Sequence, residues 1–245
     1  MGEVTQVRYD VIFFDLDGTL LGLDMEVFLP AYFQHIGKWV STRGMDPGPF
    51  LDHLVASTEA MLQSEDPERK NKDVFLEHFL PSLPGLDQEG TVDLFDRFYE
   101  EAFPDLRSLS SPIPEAIEVV RALRGAGCRL VLATNPVFPR RAIDHRLRWA
   151  GLDLEDFEHI TSYENSFHCK PRLQYYRDLL DLSGVSPGSA LMVGNDPWED
   201  MIAGELGMDT FLVDGYVVVR PEEVAFPPTY QGSLSDVVSV AVGSR

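Results

Sequence analysis

Two carboxylates one residue apart, Asp15 and Asp17, close an apolar run in the stretch VIFFDLDGTLL, residues 11–21. Three other short groups carry polar side chains at comparable places. Thr134-Asn135 follows RLVLA, Cys169-Lys170-Pro171 precedes a helical stretch, and Asn195-Asp196 follows SALMVG with Asp200 one helical turn beyond. If these groups share one edge of a sheet, Asp15, Asp17, Asp196 and Asp200 crowd together. Two like charges ~4 Å apart repel by about 4 kcal/mol at an effective dielectric near 20, so uncompensated carboxylates would protonate or separate. A hard cation with oxygen ligands removes the conflict. Mg²⁺ fits best, being small, held by one or two carboxylates plus water, and a partner of phosphate. Lys170 adds a second positive charge, Thr134 and Asn135 supply neutral donors, and Gly18 lets the backbone approach a ligand oxygen. The set is a clamp for an oxyanion, with a phosphoryl group as its natural guest. One carboxylate can then act as nucleophile through an aspartyl-phosphate, and the other as general acid and then base toward the leaving oxygen and water.

The elements that must position these groups follow from the apolar pattern. Residues 9–14, 129–134, 189–194 and 209–214 are nearly continuous runs of β-formers, and 157–162 is a weaker one. Such runs suit strands covered on both faces. Between them, 114–126, 140–150, 172–182 and 198–206 have helical spacing. The alternation predicts an α/β, Rossmann-like, mostly parallel sheet with helices on both faces, and ligands in such sheets bind beyond the carboxyl ends of the strands. Residues 22–107 break the rhythm with four helical stretches, 25–40, 49–62, 73–80 and 91–103, joined by Pro/Gly/Asp-rich turns such as DPGP and LPGLD. We expect an all-helical insertion there, with linkers at 21–24 and 106–112, and a core domain made of 1–21 and 108–245. Its aromatics, among them Phe28, Tyr32, Trp39, Phe75, Phe95 and Tyr99, are spaced as core residues.

Forty acidic against 20 basic residues give a net charge of −20. That field disfavours nucleic acid and anionic membrane, whose binding depends on Lys/Arg contacts to phosphate. No stretch approaches the roughly 20 apolar residues of a membrane span, and residues 1–10 lack the apolar core of a signal peptide, so a cytoplasmic protein is expected. The two cysteines, Cys128 and Cys169, are too few for a disulfide framework. Cys169 has no visible catalytic helper, because neighbouring side chains on an extended segment, such as His168, point to opposite faces.

DLDGT after an apolar strand is the sharp signal. Thr134-Asn135, Lys170 and GNDPWED, which could by itself be a turn with an aspartate cap, gain weight from their order. Together they resemble the haloacid dehalogenase superfamily of hydrolases over nearly the whole chain, and the helical insertion resembles that family's C1-type cap, which restricts substrates to small molecules. The resemblance implies Mg²⁺-dependent hydrolysis of a small phosphorylated metabolite. Asp15 would attack phosphorus and Asp17 would protonate the leaving group. The ion would be held by an Asp15 oxygen, the Asp17 main-chain carbonyl and the GNDPWED segment, while Thr134, Lys170 and Asn135 would bind phosphoryl oxygens. Where many members read Gly-Asp, this chain reads Gly194-Asn195-Asp196. Either Asn195 or Asp196 takes the ion, with Asp196 preferred as the carboxylate, and Asp200 then sits beside the ligands. Competing expectations are 2-haloacid dehalogenase chemistry, disfavoured by Asp17, a sugar phosphomutase, and a non-catalytic binding module. Phosphonate cleavage would need a lysine from the insertion, which offers only Lys38, Lys70 and Lys72. Neither the leaving group nor the oligomeric state is written in these motifs. The C-terminal segment from Gly215 resembles a final strand, a Pro-rich excursion and a short helix.

Overall fold

The structure, a computed structural model, describes residues 6–83, 85, 87–221 and 226–243. The N-terminal residues 1–5, two positions of the LPGLD turn and residues 222–225 of the Pro-rich excursion lie outside these. The strands are β1 Gln6–Val7, β2 Val11–Phe14, β3 Leu21–Leu23, β4 Ser110–Pro112, β5 Arg129–Leu132, β6 His159–Ile160, β7 Ala190–Gly194, β8 Asp209–Val213, β9 Tyr230–Gly232 and β10 Val242–Gly243. The α-helices are α1 Met25–Ser41, α2 Pro47–Gln63, α3 Asn71–Phe79, α4 Gln88–Glu101, α5 Ala116–Gly125, α6 Arg140–Trp149, α7 Leu173–Ser183 and α8 Asp236–Ala241.

Six strands form the central sheet in the order β6-β5-β2-β7-β8-β9, every neighbouring pair parallel. The chain runs outward from β2 in one direction through β5 and β6, then returns to the other side of β2 with β7. The topological switch point therefore lies between β2 and β7, where ligands of open α/β sheets bind. All four residues of β2 are buried, as expected of a central strand. Ile12 and Phe14 pack on the face that holds α5 and α6, through residues such as Val120 and Leu147. Val11 and Phe13 pack on the opposite face with Tyr176 and Leu179 of α7.

Helices α1–α4 come from the inserted stretch. The aspartates of its turns are helix caps: Asp46 of DPGP accepts the Gly48 N–H and Asp87 accepts the Gly90 N–H, satisfying donors that a helix start leaves open. The core-like aromatics are buried as their spacing predicts, with Phe33 partly so. Phe50, Phe75, Phe79 and Phe95 form one edge-to-face and stacked cluster.

Three expectations change. The linkers at 21–24 and 106–112 hold β3 and β4, which pair antiparallel with Leu21 opposite Pro112, so the insertion leaves and returns through one two-stranded ribbon. The helix expected over 198–206 is a turn followed by a 3₁₀ stretch, Met201–Leu206. There the Asp196 and Asp200 side chains bind main-chain N–H groups and compete with helical pairing. The apolar GYVVV after β8 forms no strand, and the last strand of the sheet is β9, beyond the excursion.

Candidate active site

The ladder around β2 continues one step past its end: Asp15 N–H donates to the Val193 carbonyl at 2.9 Å and Ala133 N–H to the Phe14 carbonyl at 2.6 Å. Asp15, Thr134 and Asn195 are thus fixed at the rim where β2, β5 and β7 end. The chain then turns sharply, with the Leu16 carbonyl accepting from Thr19, Leu20 and Leu21. Gly18 holds φ 83°, and a Cβ there would collide with the Asn195 side chain, so the glycine of DLDGT serves both the turn and the close approach.

The rim lines a cavity of about 840 Å³ that includes Asp15, Asp17, Thr134, Asn135, Asn195, Asp196 and Asp200. Lys170 reaches this rim from the loop before α7. Its Nζ donates to Asp15 Oδ1 at 2.9 Å and to Asp200 Oδ1 at 2.6 Å, with its side chain 1% exposed. Burial works against the lysine's charge, but Asp15 and Asp200 together hold it protonated well above the ordinary range. Asp200 Oδ2 also accepts the Asp196 N–H, and Gly194 makes room for the Asp200 carboxylate where a Cβ would clash.

Asp17 has a partner that the sequence reading did not anticipate. The Arg146 guanidinium of α6, its side chain 1% exposed, donates to Asp17 Oδ2 and lies 4.6 Å above the Phe138 ring. Burial drives the Asp17 carboxyl up to about 6 against the pull of Arg146, and Asp15 pushes the same way as burial. A carboxyl in that range can hold a proton near neutral pH and release it, which suits an acid and base. Asp17 Oδ1 and Arg146 Nη2 are buried without partners among the described residues.

Thr134 is buried, and its carbonyl is held by the hydroxyls of Thr161 at 2.7 Å and Tyr175 at 2.9 Å. Asn135 has its side-chain amide engaged with Glu199 and the main chain of Lys170, so what it offers a ligand is its backbone. Among the described residues, the main-chain N–H groups of Leu16, Asp17, Thr134 and Asn135 have no hydrogen-bond acceptor, nor does the Thr134 hydroxyl have a partner. Folded chains leave few main-chain donors unpaired. Several of them close to Asp15 in the chain or at the neighbouring strand end are donors ready for an anion's oxygens.

The residues at the end of β7 divide their work. Asn195 Oδ1 accepts from the Thr19 hydroxyl at 3.2 Å, and its Nδ2 donates to the Tyr216 carbonyl at 2.7 Å, tying the site to the Gly215–Arg220 loop. Both Asp196 oxygens are occupied: Oδ1 accepts the N–H groups of Trp198 and Glu199, and Oδ2 accepts from Arg220 at 2.5 Å. The preference for Asp196 over Asn195 as cation ligand runs against this arrangement, because the carboxylate is already the cap of its turn. A hard cation fits the remaining oxygens. Asp15 Oδ2 and the Asp17 carbonyl carry no hydrogen bond among the described residues, and Asn195 Oδ1 carries one. The described residues hold no cage of three or more acidic, His or Cys side chains, and Mg²⁺ asks for one or two carboxylates with water and substrate completing its shell.

Other candidates fall away. Cys169 is fully buried, accepts from the Asn71 amide at 3.2 Å, and burial pushes its thiol up to about 12, so it carries no thiolate. His168 is paired with Asp178. Lys38, Lys70 and Lys72 of the insertion do not line the cavity. Arg146 was legible in principle, since it falls on the same stripe as Ala142, Ile143 and Leu147, a cationic residue on a core-facing stripe. Arg220 and Tyr216 had no sequence signal beyond following β8.

Comparison with known proteins agrees with this architecture. The chain is 29% identical over 210 residues to a phosphoglycolate phosphatase of Rhodospirillum rubrum, covering 84% of this chain and 80% of that one. It is 23% identical over 238 residues to the pyrophosphatase PpaX of Bacillus cereus, covering 96% and 97%. Among solved structures, a 2-haloacid dehalogenase from Pseudomonas syringae superposes with a TM-score of 0.63 at 20% identity over 95% of this chain and 97% of that one. A HAD phosphatase from Thermococcus onnurineus superposes with a TM-score of 0.57 at 20% identity over 96% and 99%. At those identities the likeness speaks for the fold. The family model for haloacid dehalogenase-like hydrolases matches residues 9–207, from just before β2 to the glycine that closes the Met201–Leu206 stretch, and the chain belongs to that family.

Proposed function

We propose that this hydrolase is a Mg²⁺-dependent phosphatase acting on a small phosphomonoester through an aspartyl-phosphate at Asp15. The unpaired main-chain donors of Leu16, Asp17, Thr134 and Asn135, at the ends of β2 and β5, carry this reading, because the oxygens of a phosphoryl group would satisfy them. Relatives named for phosphoglycolate and pyrophosphate hydrolysis support it.

The Asp15 carboxylate, the Asp17 carbonyl and the Asn195 amide oxygen would hold the ion. When bound, it offsets charge on Asp15 and on the phosphoryl group. The Thr134 hydroxyl and the N–H groups of Asp17, Thr134 and Asn135 bind phosphoryl oxygens. Lys170, pinned by Asp200, steadies the Asp15 carboxylate for attack. Asp15 then forms a bond to phosphorus as the ester P–O bond breaks, and Asp17 gives its proton to the leaving oxygen. Asp17 next takes a proton from water as that water attacks phosphorus, which releases phosphate and restores Asp15. Residues 22–107 act as a cap over this rim, carried on the β3–β4 ribbon, with 1–21 and 108–245 as the catalytic core.

The test is phosphate release from p-nitrophenyl phosphate. Turnover with Mg²⁺, its loss with EDTA and a fall of at least about 10³-fold in Asp15→Asn are expected. Metal-independent turnover of chloroacetate without phosphate release would overturn the assignment.

A further inference from the structure

We infer that the substrate's leaving group is an uncharged, apolar moiety about the size of a fused aromatic ring, received in a second cavity walled by the helical insertion. This rests on the phosphatase reading and names the substrate class for it. The second cavity, about 250 Å³, adjoins the first, and Leu29, Val137, Phe138, Asn135 and Glu199 line both. A group leaving from phosphorus at Asp15 thus has a continuous path into it. Its far wall is carbon, from Phe33, Leu54, Leu62, Phe75 and Phe95. A cavity of about 150 Å³ lined by apolar side chains already holds benzene, so this one has room for a second ring.

Its polar groups are few and mostly engaged. The Tyr32 and Tyr99 hydroxyls bond to each other at 3.0 Å, and the Thr58 hydroxyl donates to the Leu54 carbonyl at 2.8 Å. The Tyr163 hydroxyl, without a partner among the described residues, is left to meet one neutral oxygen. Among the described residues, no Lys, Arg or His lines this cavity, and its carboxylate is Glu199. The first cavity gives a second anion no better reception. Among the described residues, seven carboxylates line it against two arginines; Arg220 is paired with Asp196 and Arg146 with Asp17, Arg146 keeping one buried donor, Nη2, without a partner. A glycolate carboxylate or a second phosphate would enter a negative field whose described arginines already sit against carboxylates. This chain therefore departs in substrate from the phosphoglycolate phosphatase and pyrophosphatase relatives.

The experiment compares kcat/KM for 1-naphthyl phosphate, 2-phosphoglycolate and inorganic pyrophosphate with Mg²⁺, alongside a fluorescence titration of 1-naphthol. The naphthyl ester should exceed each anionic substrate by at least about tenfold, and 1-naphthol should bind and inhibit competitively. Thr58→Trp, which fills the cavity, should abolish naphthol binding. Leu29→Arg should lower naphthyl turnover while raising that of 2-phosphoglycolate, a reversal that misfolding cannot produce. Equal or greater turnover of 2-phosphoglycolate or pyrophosphate, or no 1-naphthol binding to the native chain, overturns the inference and leaves the phosphatase reading intact. Naphthol binding with no ester hydrolysed overturns the phosphatase reading and leaves the apolar pocket standing.

Discussion

Asp15 and Asp17 sit one residue apart in sequence and have opposite surroundings in space. Asp15 faces a buried lysine, and Asp17 is enclosed with a buried arginine. That difference separates their roles. Lys170 holds the Asp15 carboxylate in place as a nucleophile, while burial pushes Asp17 up to about 6, where it can carry a proton. Asp17→Asn is expected to slow turnover by roughly 10² to 10⁴ with the fold intact, since proton transfer to the leaving oxygen is lost. Steady-state kinetics with a circular dichroism control reads this. Removing one partner of a buried ion pair strands the other. Arg146→Leu should therefore destabilise the chain by about 3–5 kcal/mol in urea unfolding, and adding Asp17→Asn should restore a large part of that. The aspartates were readable from DLDGT alone. Arg146 was harder to see, because Arg140, Arg141 and Arg148 surround it in the same helix, and its burial follows from helix periodicity rather than residue type.

Elements set how closely these groups approach. The strand ends were legible because β2, β5, β7 and β8 are almost wholly apolar, a pattern only a sheet covered on both faces accommodates. The Asp196–Asp200 turn was misread as helix because apolar spacing does not register carboxylates that cap their own backbone. The β3–β4 ribbon escaped notice because Ser110-Ser111-Pro112 carries no β-former, and its register comes from the partner strand. Helix α6 ties the two regions together, with Arg146 at the site and His145 against Phe103 and Trp149. Burial, joined by Arg148, lowers the His145 pKa below its ordinary value. Its contribution is thus fully present above the unfolded value of about 6.5 and is lost as pH falls through the folded pKa. Thermal melts from pH 7.5 downward should show the native chain losing stability relative to His145→Leu, and parallel curves would refute the assignment.

At the scale of the whole molecule, a net charge of −20 and an acidic cavity make anion binding a problem to be solved locally. The family and the α/β class could be read from four motifs in order. The leaving-group pocket could not, because its walls come from four helices and three loops distant in sequence. No described helix is long and apolar enough to cross a membrane. Ligands that bind only the folded state raise its stability by about 2.7 kcal/mol at a hundredfold excess over Kd. Mg²⁺ with a phosphate mimic such as beryllofluoride should accordingly raise Tm for the native chain. The same pair should give no such shift with Asp15→Asn.

The mechanism stands or falls on covalent phosphorylation of Asp15. An acyl phosphate is reduced by borohydride, so quenching turnover of p-nitrophenyl phosphate with borohydride and mapping the peptides by mass spectrometry addresses it directly. Homoserine is expected in place of aspartate at position 15 when Mg²⁺ and substrate are both present, and unaltered Asp15 when either is left out. Steady phosphate release with Asp15 never reduced would contradict it.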